Sequence, residues 1–380
     1  MTALEILEKL IAFDTTSANS NLALIDYVED FLKKRNFRVS RVLDPTGQKA
    51  GLFAAYGPDG AGIMLSAHTD VVPVTGQTWT RPAFKLTREG GRLYGRGTTD
   101  MKGYLAAMLS AADRASKMQL TEPLKLSISY DEEIGCVGIQ HMIDQLKPTI
   151  GLPRACFVGE PTSMNVATGH KGKAALLAVC HGTSGHSALA PLFTNALHLA
   201  ADFIVALRDL QEEFARSGAR DTAYRIPYST LHVGKVSGGQ ALNVVADRAE
   251  ILLEYRHLAA DHGADIFRKI EAAAGAAARR HTVKTSSARI VITTESAYPG
   301  LNTNEDADIT TFAKAMAQRN QTTKVAFGTE AGFFNALEIP TIVCGPGSME
   351  GQGHKEDEFI MDSELAACDQ MLDRILHSMK

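Results

Sequence analysis

A chain of 380 residues with 45% hydrophobic and 22% charged residues has ordinary globular composition and is long for one core, so two domains are expected. A net charge of -4 gives no reason to expect nucleic acid or an anionic membrane as partner. The acidic, amphipathic start lacks signal-peptide features, no apolar run approaches the ~20 residues that cross a bilayer, and the five cysteines form no CxxC pair, so buried free thiols in a cytoplasmic protein are expected.

Helices are predicted over 3–13 and 20–35, the second from Leu22, Leu24, Ile25, Val28, Phe31 and Leu32 at helical spacing behind Ser20 or Asn21 as N-cap. Short strands follow near 37–43, 51–56 and 61–67, then a buried helix from Met101 to about 117. The pattern changes near residue 173. A strand at 173–182, a helix at 193–215, strands near 229–237 and 247–256 and a helix at 263–280 outline a small α+β unit. From about 290 the style of the first part resumes, with a helix at 304–319, strands near 323–327 and 340–344 and a terminal helix at 363–378. The smaller domain therefore reads as inserted, with 1–172 and 288–380 forming one domain and 173–287 the other.

Acids and histidines stand where strands are expected to end. His68 and Asp70 close the segment Ile63–Asp70, Glu132 and Glu133 follow Leu124–Tyr130, and Glu160 ends Ala155–Glu160. Asp100 follows a glycine turn, and His354 lies in a loop with four glycines. In open α/β sheets ligands bind at such ends. Imidazoles with several carboxylates suit a pair of divalent cations such as zinc. Asp70, two residues from His68, is placed to take its second ring N–H. Adjacent Glu132 and Glu133 point to opposite sides if extended, so one could ligate while the other serves as general base. Each has a plainer reading: Asp100 as helix N-cap, Glu132 and Glu133 as a solvated acidic loop, Glu160 as a turn acid. A serine or cysteine hydrolase is poorly supported, because there is no G-x-S-x-G elbow and no cysteine at an activated turn.

Five segments, in order, resemble the acetylornithine deacetylase, succinyl-diaminopimelate desuccinylase, aminoacylase and glutamate carboxypeptidase family of co-catalytic zinc hydrolases. They are Ser66–Pro73, Gly95–Gly103, Asp131–Gly135, Gly159–Thr162, and Gly345–Gly347 leading to His354. The resemblance implies an α/β catalytic domain of zinc-aminopeptidase type, its mixed central sheet flanked by helices, with an inserted two-helix, four-strand lid domain that mediates homodimer formation. It implies two zinc ions, or cobalt in their place. His68 and Glu160 would hold one and Glu133 and His354 the other, with Asp100 bridging, Asp70 orienting His68, and Glu132 as general base. His186, in Gly182–Ser187, would stabilise the oxyanion from the partner subunit; a turn histidine is the plainer reading. Asn243 and Arg256 match regions that contact a substrate carboxylate, although a strand salt bridge would also explain Arg256. Lid closure would hinge near Gly172-Lys173 and 285–290. Softer matches at Phe13–Ser17, Val42–Gly47 and Gly328–Phe333 point to the acetylornithine deacetylase branch. The expected reaction is hydrolysis of a small N-acyl amino acid, with a desuccinylase, a dipeptidase or a non-catalytic relative as alternatives.

Overall fold

The computed structural model describes residues 1–282 and 288–380 and divides into two compact units, Met1–His170 with Leu301–Lys380, and Lys171–Gly300. The first unit opens with α1 (Ala3–Ile11) and α2 (Leu22–Lys33), then β1 (Arg38–Leu43), β2 (Ala50–Tyr56) and β3 (Ile63–His68). Two short strands, β4 (Thr87–Glu89) and β5 (Arg92–Tyr94), precede α3 (Lys102–Ala115), β6 (Leu124–Ser129), α4 (Val137–Ile150), β7 (Ala155–Pro161) and β8 (Val166–His170).

The second unit holds β9 (Gly172–His181), β10 (Gly185–His186), a 3-10 turn, α5 (Ala196–Ser217), β11 (Thr230–Gly238), β12 (Val244–Val245), β13 (Arg248–His257), α6 (Gly263–Thr282) and β14 (Arg289–Tyr298). The chain returns to the first unit with β15 (Leu301–Asn302), α7 (Asp308–Ala317), β16 (Thr322–Val325), α8 (Ala331–Ala336), β17 (Thr341–Gly345), β18 (Phe359–Met361) and α9 (Asp362–Ser378).

The main sheet of the first unit runs β1-β2-β6-β3-β7-β17-β8-β15, with β16 beside β8. Its centre is parallel: β3 pairs β6 and β7, and β7 pairs β17, all in one direction. A parallel sheet is covered on both faces, so its strands are buried throughout, as β3, β6, β7 and β17 are. Lys125 in β6 satisfies this by sending Nζ to the carbonyls of Gly151 (3.0 Å) and Leu152 (3.3 Å) at the C-terminal end of α4, where a cation suits the helix dipole. Helix α3 is buried along almost its whole length and packs against α1 and α9. Gly159 permits its close approach, because a Cβ there would meet the Tyr104 ring at 1.9 Å.

The second unit has its own core, in which Leu176, Ala178, Phe203, Leu207, Ile251, Leu253 and Ile270 are buried between sheet and helices. Burial along β9 alternates residue by residue, as a sheet with one covered face requires. The strand order β11-β13-β9-β14, all antiparallel, completes a β-α-β-β-α-β arrangement with two helices and four strands. The fourth strand comes from Arg289–Tyr298. Residues 288–300 therefore lie in the second unit, and the return to the first falls at Leu301, later than the expected boundary at 287/288. The first part of the expected hinge at 285–290 lies outside the described residues. The helix expected at 304–319 begins at Asp308, because the Asn304 side chain accepts from the Asp306 amide in a turn that delays it. Among the described residues, no helix is long and apolar enough to cross a membrane. All five cysteines are buried and unpaired.

Asp113 on α3 ties three helices together. It accepts from Arg35 Nε at 2.5 Å beyond α2 and from Lys117 Nζ at 2.7 Å, and it contacts the amino terminus ahead of α1 at 3.1 Å. Burial pushes its carboxyl up, but hydrogen bonds from Lys117, the amino terminus and Arg35 outweigh this and hold it well below the usual range. A depressed folded pKa contributes stability above the unfolded value, and that contribution fades as pH falls through the folded one. Asp113→Asn should therefore cost about 1–3 kcal/mol at pH 7 in urea unfolding. The difference from the parent should shrink as pH drops below about 4; a gap independent of pH would contradict this role.

Candidate metal centre

The C-terminal ends of the four central parallel strands converge. His68 is the last residue of β3, Glu160 is the penultimate residue of β7 before Pro161, Glu132 and Glu133 follow β6, and His354 lies in the loop after β17. Asp100 reaches the same place from the turn ahead of α3. It does not cap that helix: Met101 holds the cap position, without a side-chain bond, and the Asp100 carboxylate is engaged elsewhere. Oδ1 lies 3.1 Å from His68 Nε2 and Oδ2 lies 3.1 Å from His354 Nε2. His68 Nε2 is also 3.6 Å from Glu160 Oε1, and His354 Nε2 is 3.0 Å from Glu133. The result is two donor groups, His68-Asp100-Glu160 and Asp100-Glu133-His354, sharing one acid.

Glu132 and Glu133 are not at a strand end as expected. They lie beyond β6 in a turn that leads to α4. What aims them is Asp70, whose Oδ1 accepts from the Glu132 amide at 3.0 Å and whose Oδ2 accepts from the Glu133 amide at 3.2 Å and the Ser17 hydroxyl at 2.7 Å. The expected pairing of Asp70 with the second nitrogen of His68 takes a different form. His68 Nδ1 is closest to the backbone carbonyl of Asp70, at 3.0 Å, with the carboxylate at 3.4 Å. One buried acid thus braces both the imidazole and the paired glutamates.

Electrostatics show a surplus of negative charge. Burial, aided by the charge of Asp100, pushes Glu133 up to about 7 and Glu160 well above the usual carboxyl range. Burial also raises Glu132 strongly; His68 opposes, while Glu133, Asp100 and Glu330 add to the rise. Asp100 is held well below the usual range because hydrogen bonds from His354 and His68 overcome its burial. The imidazoles respond in kind. Burial opposes their charge, yet Asp100 with Asp70 raises His68 well above its ordinary value, and Asp100 with Glu133 lifts His354 to about 10. Glu160 Oε1 is buried and accepts no hydrogen bond. Crowded carboxylates that draw protons, an orphaned buried oxygen and a donor set of imidazole and carboxylate without thiolate fit two divalent cations in place of those protons.

Several residues here carried no assigned role in the sequence. Glu330, within Gly328–Phe333, is buried with Oε1 unpartnered, and burial pushes it up to about 7. Ser17 braces Asp70, and the buried Cys136 thiol lies 3.4 Å from Glu132 Oε1. The Ser17–Asp70 contact links loops 53 residues apart, and no local pattern announces it.

The other expected residues belong to the second unit. His186 and Asn243 come together there: His186 pairs with Val244 across β10-β12, and the Asn243 carbonyl accepts from the Ser187 amide at 3.0 Å. The His186 ring accepts from the Ala188 amide at 3.1 Å, so a turn-capping bond is also present. Arg256 sits elsewhere, near the other end of the sheet. It lies opposite Lys173 while Arg248 lies opposite His181, a strand length of roughly 25 Å. Its Nε bonds Glu254 at 3.0 Å, the strand ion pair that was its plainer reading.

If Asp70 braces the cluster as described, Asp70→Asn should raise the dissociation constant for zinc by about 10- to 100-fold in titration calorimetry, with the fold retained by circular dichroism. Unchanged zinc affinity would show that the bracing is dispensable.

Comparisons with known proteins identify the family. Residues 64–378 match the model of Peptidase family M20/M25/M40. The chain is 32% identical over 374 residues to an acetylornithine deacetylase of Myxococcus xanthus, covering 97% of this chain and 95% of that one. It is 30% identical over 381 residues to an acetylornithine deacetylase of Pasteurella multocida, covering 98% and 97%. Its fold resembles an M20 family metallo-carboxypeptidase from Sulfolobus solfataricus with a TM-score of 0.78 at 18% identity, covering 98% of both chains. The chain belongs to peptidase family M20/M25/M40.

Proposed function

We propose that this chain hydrolyses the acetyl amide of N2-acetyl-L-ornithine to L-ornithine and acetate, a step that would serve arginine biosynthesis. The observation that carries the reading is the pair of donor groups sharing Asp100 in a chain similar along nearly its whole length to acetylornithine deacetylases. His68, Asp100 and Glu160 would hold one cation, and Asp100, Glu133 and His354 the other. Zinc suits this donor set and cobalt can replace it. When bound, the two cations acidify a water and polarise the acyl carbonyl.

The chain's own residues supply the rest. Glu132, aimed by the Asp70 bond to its amide, takes a proton from the attacking water as the new carbon–oxygen bond forms. It returns that proton to the amide nitrogen as the carbon–nitrogen bond breaks, so the products are a carboxylic acid and an amine. Asp70 keeps Glu132 and Glu133 in register through adjacent amides, which spares the step any reorganisation of the loop. The five unpaired cysteines suit a reducing compartment, the cytoplasm.

In the second unit, His186 is proposed to donate to the developing oxyanion and Asn243 and Arg256 to bind the substrate carboxylate. One small substrate cannot reach both ends of a strand of roughly 25 Å. That separation supports a homodimer, built through the second unit, in which the two copies share the work.

A chelator should abolish acetate release from acetylornithine, and added zinc should restore it. Glu132→Gln should keep both cations by elemental analysis yet lose at least about 100-fold in kcat, the usual worth of general base catalysis; near-normal kcat would refute the assigned base. A panel of acetyl, succinyl and formyl derivatives should favour acetylornithine, and a preference for succinyl substrates would move the reading to a desuccinylase. Mixing inactive Glu132→Gln and His186→Ala proteins under conditions of subunit exchange should recover activity. No recovery would contradict a site completed by the partner.

A further inference from the structure

Behind the cluster runs a buried polar chain that the proposed reaction does not use. Glu358 is completely buried. Its Oε1 accepts from the amides of Thr99 at 2.9 Å and Asp100 at 3.1 Å, and its Oε2 accepts from Arg96 Nη1 at 2.5 Å. Arg96 is also completely buried, and its Nη2 donates to Gln77 Oε1 at 2.5 Å. Gln77 is half-buried; its Nε2 donates to the backbone carbonyl of His354 at 3.1 Å. Trp79 Nε1 donates to the same Gln77 oxygen at 3.0 Å, which leaves the amide nitrogen facing His354. The links therefore run from the Asp100 amide through Glu358, Arg96 and Gln77 to the His354 carbonyl. Among the described residues, none of these hydrogen bonds ends on His68 or Glu160.

A buried ion pair with every acceptor used is stiff, and breaking one link leaves an uncompensated charge. His354 needs such support. Its side chain is 40% exposed, it lies in a glycine-rich loop, and its φ of 60° is in the left-handed region that a residue with a Cβ avoids. Such outer supports of ligands govern metal affinity.

We propose that Gln77 is a positioning residue selective for one of the two metal positions, that of Asp100, Glu133 and His354. It holds His354 by the backbone and is itself anchored by the Arg96–Glu358 pair. Glu358 acts more broadly, because the shared acid Asp100 hangs from it. The proposal rests on the ligand sets given above.

The test is a zinc titration of the full chain stripped of metal, with melting of the metal-free protein measured alongside. The parent should bind two zinc ions per chain. Gln77→Met keeps the length of the side chain and removes its hydrogen bonds. It should weaken one binding event about 10- to 100-fold and leave the other unchanged, with a lower metal-free melting temperature because Arg96 Nη2 and Trp79 Nε1 lose their acceptor. Glu358→Gln, if it folds, should weaken both events. Two unaltered events in Gln77→Met, or two events weakened alike, would overturn the selective role. His354→Ala separates the two readings. It should remove the event that Gln77→Met weakens. If it does so while Gln77→Met binds like the parent, the positioning role alone fails. If His354→Ala still binds two zinc ions, the ligand set fails and the proposal with it.

Discussion

A buried surplus of negative charge governs this molecule. Asp100, Glu132, Glu133 and Glu160 converge at the ends of four parallel strands, with two imidazoles as their immediate counterweight. Burial and the charge of Asp100 drive Glu133 and Glu160 upward, and the neighbouring carboxylates raise His68 and His354 against their burial, so without cations the cluster favours protons. Two divalent ions would relieve the repulsion that protons relieve otherwise. The repulsion is thus the source of the affinity, and the scaffold's task is to keep the acids from drifting apart when they are unneutralised.

The scaffold does this with rigid elements and few loops of its own making. Strands β3 and β7 are buried throughout and carry His68 and Glu160 at their C-terminal ends, just beyond the ladder that joins the two strands and with His68 paired to Ser129 of β6. Gly159 lets α3 lie against β7, which brings the turn carrying Asp100 over the same strand ends. The less regular members, Glu132, Glu133 and His354, are each held through the backbone by a side chain from elsewhere: Asp70 for the glutamates, Gln77 for the histidine. Side chains that must face a ligand are left unencumbered while their main chains are anchored, an economical way to preorganise a site.

Much of this was legible in the sequence because strands in a parallel sheet announce themselves as apolar runs. A polar residue that closes such a run, as His68 and Glu160 do, is placed at the sheet's end by the run itself. The β-α-β-β-α order of the insert likewise marked a sheet with helices on one face, whereas the alternation in the nearly all-apolar β9 shows only in its burial. Other features were hidden because they depend on which loops become neighbours. Asp70 was read as a partner of His68 through local spacing, but its carboxylate oxygens turn to amides 62 and 63 residues away. The Arg96–Glu358 pair spans 262 residues, and an isolated arginine and glutamate carry no signal at that range. Residues 289–298 were not read as a strand and fell on the other side of the expected boundary, because only the pairing of β14 with β9 reveals which sheet they join.

Anomalous diffraction at the zinc absorption edge, from crystals of the chain grown with zinc, would examine the shared-acid geometry without any assay of turnover. Two peaks should appear about 3.5–4 Å apart, one on each side of the Asp100 carboxylate, the nearer to His68 and Glu160 and the other to Glu133 and His354. A single peak, or peaks away from Asp100, would contradict a two-metal centre built around that residue.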